Sequence, residues 1–403
     1  MIRAGYGIFY ARIHGNLLDT LFLGNGKYQT AININPSQAG SPVFPNILSS
    51  ASGLPGGSIS LQFADPKSFR NPYSQQGTLA VEHQFTRDIA MTASYIWSRG
   101  IGIFTQRDLN LGNPVGPYTY TILDNAGNNV SSYTTPVFVI GNRVDPRYSK
   151  ILQIENGGQS WYNALALQLV KRFSHGLTGQ INYTWSHAID DANQQGASNN
   201  ISSTFNNSTF NGNYPLDKGS STLDQRHRLS VNWLWRPKFT TSTSAFAKYF
   251  VNGWELSGIT TLASAHPVSA TMNGASTSPN GVFPGVTLSN STLNGSGGWN
   301  RVPFLPIGIL DIDQTYNVDA RLTRSIPFSE RVKANLSFEA FNAFNTIHNT
   351  FVQTSAYSVS AGGILKPVLD SQGVSHVGDG SQSQGFPDGT NARRMQVALR
   401  FTF

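Results

Sequence analysis

The chain of 403 residues carries 28 Lys and Arg against 21 Asp and Glu, a formal net charge of +7, no cysteine, and only 12% charged residues. An average soluble domain holds roughly 25% charged residues, so here the polar surface rests on Asn, Ser, Thr and Gln. The 39 Gly and 20 Pro disfavour long helices, no run reaches the ~20 apolar residues of a membrane helix, and the lack of cysteine excludes disulfide scaffolds, thiolate zinc sites and cysteine nucleophiles. The basic residues are scattered singly, which argues against a nucleic-acid partner.

The N-terminus lacks the basic and apolar regions of an export signal and reads as a strand from Ile2 to Tyr10. From there, two-residue periodicity marks one strand after another. Leu79, Val81 and Phe85 oppose Thr78, Ala80, Glu82 and Gln84; Ile89, Met91, Ala93, Tyr95 and Trp97 oppose Ala90, Thr92, Ser94 and Ser98. Leu165, Leu167, Leu169 and Phe173 oppose Gln168 and Arg172, and after the turn 174–176 Leu177, Ile181, Tyr183 and Trp185 oppose Gln180, Asn182 and Thr184. Leu229, Val231, Trp233 and Trp235 oppose Arg226, Arg228 and Asn232, and Trp254, Leu256 and Leu262 oppose Glu255, Ser257 and Thr261. Tyr316, Val318 and Leu322 oppose Asp319 and Arg321; Val332, Leu336 and Phe338 oppose Lys333 and Glu339; the last strand sets Met395, Val397, Leu399, Phe401 and Phe403 against Gln396, Arg400 and Thr402.

Ten such strands leave connections that are short at 86–88, 174–176 and 325–330, intermediate at 237–249, and long at 100–160, 187–224, 264–314 and 342–393. Residues 11–74 fit a first long loop with a small hairpin near 59–63. The long connections are rich in Asn, Gly and Ser, as at 199–203 and 294–298, and read as loops within one domain. Long loops on one side and turns on the other, with aromatics at strand ends and charges in mid-strand, favour a membrane barrel over a soluble sandwich. The predicted fold is therefore all-β: an antiparallel transmembrane β-barrel, partial, of about 10–12 strands. Glu82, Arg172, Arg226, Arg228, Asp319, Arg321, Glu339 and Arg400 are predicted to face a lumen, Arg226 and Arg228 in a charge ladder with Glu82 or Glu255. Tyr95, Trp97, Tyr183, Trp185, Trp233 and Trp235 are predicted at the membrane interfaces.

Several segments resemble the C-terminal barrel portion of Oar-like TonB-dependent outer-membrane receptors. They are Arg3 to Tyr10, Asn71 to Gln76, Ser160 to Leu165, Tyr183 to Asp191, Asp224 to Leu229 and Phe338 to Asn345. The ending at Phe401 and Phe403 is similar to the signal read by the outer-membrane assembly machinery. The resemblance implies a Gram-negative outer membrane, contact with its lipid, energised uptake of a substrate, and a parent barrel of ~22 strands. It also implies a signal peptide, a carboxypeptidase-regulatory-like domain and a plug that contacts TonB, all expected to be absent from residues 1–403. A plug-free porin or adhesion barrel, and a secreted carbohydrate-binding sandwich, are the alternative readings.

No catalytic or cofactor pattern stands out. His187, Asp190 and Asp191 match no metal-ligand spacing, Asp311 and Asp313 lack a third acid or a histidine, and Gly24 to Lys27 lacks the rest of a phosphate loop. Loop aromatics Tyr118, Tyr120, Tyr133, Trp299 and Phe386 among amides and hydroxyls would suit a sugar or peptide ligand.

Overall fold

The computed structural model describes residues 1–13, 15–26, 31–33, 41–47, 58–192, 208–273, 288, 292–329, 332–360, 362–381 and 392–403. Ten strands form its frame: β1 (Ile2–Tyr10), β2 (Tyr73–Gln84), β3 (Ile89–Asp108), β4 (Lys150–Ser174), β5 (Leu177–Asp190), β6 (His227–Trp235), β7 (Trp254–Ala263), β8 (Thr315–Pro327), β9 (Lys333–Phe341) and β10 (Arg394–Thr402). Each pairs antiparallel with its neighbours in this order, so the wall is an uninterrupted meander. Among the described residues β1 pairs only with β2 and β10 only with β9, which leaves two open edges.

Register carries the alternation from strand to strand. Val81, Ala93, Leu167, Tyr183, Leu229, Leu262 and Tyr316 stand opposite one another in one row. The adjacent row on the other face runs Glu82, Thr92, Gln168, Asn182, Ser230, Thr261 and Asn317. A slip of one residue at any pair would exchange the faces. The apolar face is left open: Leu79, Ile181 and Phe338 are 50%, 41% and 48% exposed, where a water-soluble sheet would cover them.

Local chemistry sets the turns and the tight rows. In the β4–β5 hairpin His175 and Gly176 both take positive φ, 51° and 77°, which suits the right-handed strand twist. Trp233 stands between Gly179 and Gly258; a Cβ at Gly258 would lie 3.2 Å from the indole ring, and one at Gly179 would lie 2.9 Å from the Asn232 carbonyl. The indole thus covers strand positions that have no side chain of their own.

The long connections fold more than the sequence pattern suggests. β3 and β4 run for 20 and 25 residues, about twice the ~9–11 that cross a bilayer, so much of the expected loop 100–160 is a continuing pair of strands. The first loop forms helix α1 (Gly15–Leu23), whose Leu17 packs with Ile154 beside the stacked rings of Phe69 and Phe104. The small hairpin expected near 59–63 does not form: Ser58–Ala64 is one continuous strand that pairs antiparallel with the distant Ala31–Asn33 and parallel with β4.

Segments of three other loops meet in a cap. Their sheet runs Thr271–Asn273, Ser355–Ser360, Ile364–Pro367, Gly116–Leu123, Asn129–Val137. Beneath it lies the largest buried apolar cluster of the described residues: Tyr120, Ile122, Met272, Leu293, Val302 and Leu365. Beside it the Arg301 guanidinium lies 3.2 Å from the Asp217 carboxylate, with both side chains almost fully buried. Arg301 also donates to the carbonyls of Val302, Leu305 and Leu216, while Asp217 accepts from the amide and hydroxyl of Thr209. The stretch 199–203 lies outside the described residues.

Candidate functional site

The polar face of the wall is assembled from amides, hydroxyls and a few charges. In its middle Gln168 and Gln180 both donate to the Asn182 side-chain carbonyl, at 3.1 and 2.8 Å. Arg321 faces Glu339 across β8 and β9 and the two pair directly, while Asp319 accepts from the Asn342 backbone amide at 2.8 Å. Near the turn end these acids and Arg321 join Lys171 and Arg172 around a concavity of about 620 Å³. Glu82 pairs with Arg3 at 2.7 Å, Glu255 pairs with Arg236, and Arg400 stands opposite Asn335.

The ladder expected of Arg226 and Arg228 with Glu82 or Glu255 does not form. Arg226 holds Asp224 at 2.8 Å and Arg228 donates to the Gln225 side chain at 3.2 Å. Both acids were already matched by nearer arginines, Arg3 from the adjoining strand and Arg236 from the same hairpin, and parity alone does not rank partners by distance. Asp224 is buried and accepts from the Ala188 amide at 2.7 Å, with His187 Nδ1 at 3.2 Å. His187 is therefore drawn to Asp224 and away from Asp190 and Asp191. Asp191 instead caps the Gln159 amide at 2.6 Å, and burial pushes its carboxyl up.

The strand-end aromatics fall at two levels. Tyr95, Trp97, Tyr183 and Trp185 stand towards the long-loop end, and Trp233, Trp235, Phe401 and Phe403 towards the turn end. Trp235 is opposite Leu177, and from Leu177 to Trp185 the strand climbs roughly 26 Å at ~3.3 Å per residue. Two of the rings end in polar contacts: Tyr95 donates to Asn163 at 2.6 Å, and Tyr183 Oη lies 2.8 Å from His227 Nδ1.

The loop aromatics have another role than the sequence suggests. Tyr120 is fully buried and donates to the Leu293 carbonyl at 2.6 Å, with burial pushing its phenol up; Tyr118 and Tyr133 pack on the same core. Tyr120 is thus part of the cap core, with Tyr118 and Tyr133 half-buried against it. Trp299 lines a small crevice beside that core, and Phe386 and Lys27 lie outside the described residues. Asp313 accepts from the Asn349 amide at 2.9 Å, and Asp311 lies in the loop strand Leu310–Ile312. A second cavity, of about 880 Å³, separates the long-loop end of the wall from the cap. No sequence signal pointed to it, because its walls come from four separate connections.

Comparison with known proteins agrees with this architecture. A family model described as an outer membrane beta barrel domain matches residues 1–367, and the chain belongs to that family. It is an outer-membrane β-barrel, and the open meander is part of such a barrel wall. No curated protein matches the chain. Among solved structures it is similar to the outer membrane transporter YddB from Escherichia coli (11% identity, TM-score 0.46, covering all of this chain and 38% of that one). It is also similar to FpvA of Pseudomonas aeruginosa, described as bound to pyoverdines (9%, 0.39, covering 83% and 27%). A third is the FrpB iron transporter from Neisseria meningitidis (12%, 0.33, covering 72% and 28%). The chain thus spans well under half the length of each of these proteins.

Proposed function

We propose that this chain is the C-terminal part of the barrel wall of a TonB-dependent receptor, and that its polar face forms one side of the path by which a substrate is taken up. The observation that carries this reading is the pair of unbroken faces across ten strands that end in two open edges. An open membrane sheet leaves unpaired backbone groups at each edge, and in hydrocarbon these must be satisfied by further strands. A larger barrel supplies them. The segments that resemble Oar-like receptors make a receptor the parent.

On this reading Leu79, Ile181, Phe338 and their rows face lipid, and the two levels of aromatics sit at the two membrane interfaces. Glu82, Arg172, Arg226, Arg228, Asp319, Arg321, Glu339 and Arg400 face the lumen or its rim. The role is transport, not catalysis. TonB would act through a plug elsewhere in the parent, and the Phe401–Phe403 ending would serve recognition by the assembly machinery.

The test is an antibody to residues 109–149, blotted on fractionated cells of the source organism. A band in the outer membrane at more than twice 43.8 kDa is expected. A 43.8 kDa band in the outer membrane would replace the receptor with a small plug-free barrel, and one in the soluble fraction would remove the membrane reading altogether.

A further inference from the structure

The two cavities on the polar side differ in charge. The concavity at the turn end is lined by Lys171, Arg172, Arg321, Asp319 and Glu339. The cavity under the cap holds a single carboxylate, Asp190, and no Lys, Arg or His. Its volume of about 880 Å³ lies within the ~300–1,000 Å³ usual for ligand sites.

Its walls follow from the register. Ser98, Tyr162 and Ala188 form one row of the polar face, and Ser160 and Asp190 stand opposite each other in the next. Facing them, two short two-stranded ladders beside the cap, His266–Val268 with Leu310–Ile312 and Phe351–Val352 with Gly380–Ser381, contribute Val268, Ile312, Phe351 and Val352, and the loop before β6 contributes Ser221, Thr222 and Leu223. The lining is thus apolar with hydroxyls at intervals. Leu223 and Phe351 remain 80% and 55% exposed beside a cap that buries Tyr120 and Leu365 completely. Apolar side chains left open at the edge of a preformed cavity are what a partly apolar ligand would cover.

We propose that this cavity binds an uncharged, hydroxyl-bearing molecule with an apolar frame and excludes anions. The proposal rests on the receptor reading, since it names the class of substrate that such a receptor would admit. An anion entering here would lose its hydration, meet Asp190, and find no cation in the lining to replace the lost water. Two cations stand close by but outside the lining: Arg99 donates to Gln159 at 2.9 Å, and Arg99 and Lys218 lie 5.9 and 4.1 Å from the Trp161 ring. Burial already pushes the Asp190 carboxyl up, so the site disfavours negative charge even on its own side chain.

A matched pair of probes tests this. Phenyl β-D-glucoside and phenyl β-D-glucuronide differ only in a hydroxymethyl group against a carboxylate. Each is titrated into the native protein purified from outer membranes in an uncharged detergent, with ligand-observed NMR as readout. Saturable binding of the glucoside is expected, with the glucuronide at least about 10-fold weaker. Asp190→Asn should narrow that gap by about 10-fold while leaving glucoside affinity within about 3-fold. Leu223→Ala, at an exposed position that folding does not need, should weaken the glucoside by about 10-fold. Absence of saturable glucoside binding, or equal affinity for the two probes, overturns the proposal. Equilibrium binding needs no energised uptake, so a protein that binds the glucoside in cells that do not accumulate it keeps the site and loses the receptor reading.

Discussion

The wall and the cap are built from one chain by opposite rules. The wall turns its large apolar side chains outward, Ile181 at 41% and Val397 at 65% exposed, while the cap buries Tyr120, Val302 and Leu365 completely. One fits a sheet solvated by lipid on one face; the other is an ordinary aqueous core in miniature. Polar groups follow the same division. On the polar face of the wall each ion pair keeps its arginine half-exposed, as Arg321 with Glu339, whereas the one fully buried ion pair of the described residues, Asp217 with Arg301, lies in the cap. What decides the placement of a side chain is thus the solvent it meets at its height along the molecule.

The sharpest way to break the comparison is to strike the cap alone. Arg301→Leu leaves Asp217 buried without a cation and should cost about 3–5 kcal/mol, opening the cap to hydrogen exchange while β4 and β5 keep their protection. Loss of protection in those strands as well would show that the two regions are one cooperative unit. Ile181→Arg strikes the wall instead. A charge on the lipid face should cost about 2–4 kcal/mol in denaturant unfolding from vesicles, and Asn182→Arg one position later should cost under about 1; equal penalties would mean that the faces are wrongly assigned.

A smaller effect is expected on the polar face. A double-mutant cycle on Arg321 and Glu339 should return about 0.2–1 kcal/mol, because the arginine is half-exposed and the pair is screened. A larger coupling would mean that this part of the polar face is drier than water. The smallest effect is local and depends on pH. His376 Nδ1 lies 2.6 Å from Asp379 and Nε2 lies 3.1 Å from Asp370, and these bonds, Asp379 first, hold the imidazolium above its ordinary value of ~6.5. Its contribution is complete below ~6.5 and fades as pH rises through the raised value. Asp370, lowered chiefly by the Val374 amide and then by His376, adds the opposite limb, lost at acid pH. Protection at the Gln372 and Val374 amides, both bonded to Asp370 and measured relative to their intrinsic exchange, should fall as pH rises through the raised His376 value, and His376→Gln should abolish that fall.

All ten wall strands were legible in the sequence, because lipid on one side and polar surroundings on the other impress a two-residue period on every strand. Their extensions beyond the membrane were not, because Gly100, Gly102, Gly157 and Gly158 interrupt the pattern just where β3 and β4 continue. The cap was invisible for a different reason. Its strands are as short as Thr271–Asn273 and pair with segments far away in sequence, partly in parallel, so no local period marks them. Tyr120 consequently reads as a ligand aromatic when it is core, with Tyr118 half-buried against it. The charges of the polar face could be placed by parity, but their partners depend on distance in three dimensions, as Arg226 with Asp224 shows.

The pairing order also has a kinetic side. Every wall contact joins strands consecutive along the meander, so each can zip onto the last with modest loop-closure entropy. The Tyr120 to Leu293 bond spans 173 residues and must wait until several hairpins are in place, as expected for contacts of high sequence separation. Wall growth should therefore precede closure of the mouth, and the assembling chain would pass through a wide-open stage before its cap condenses.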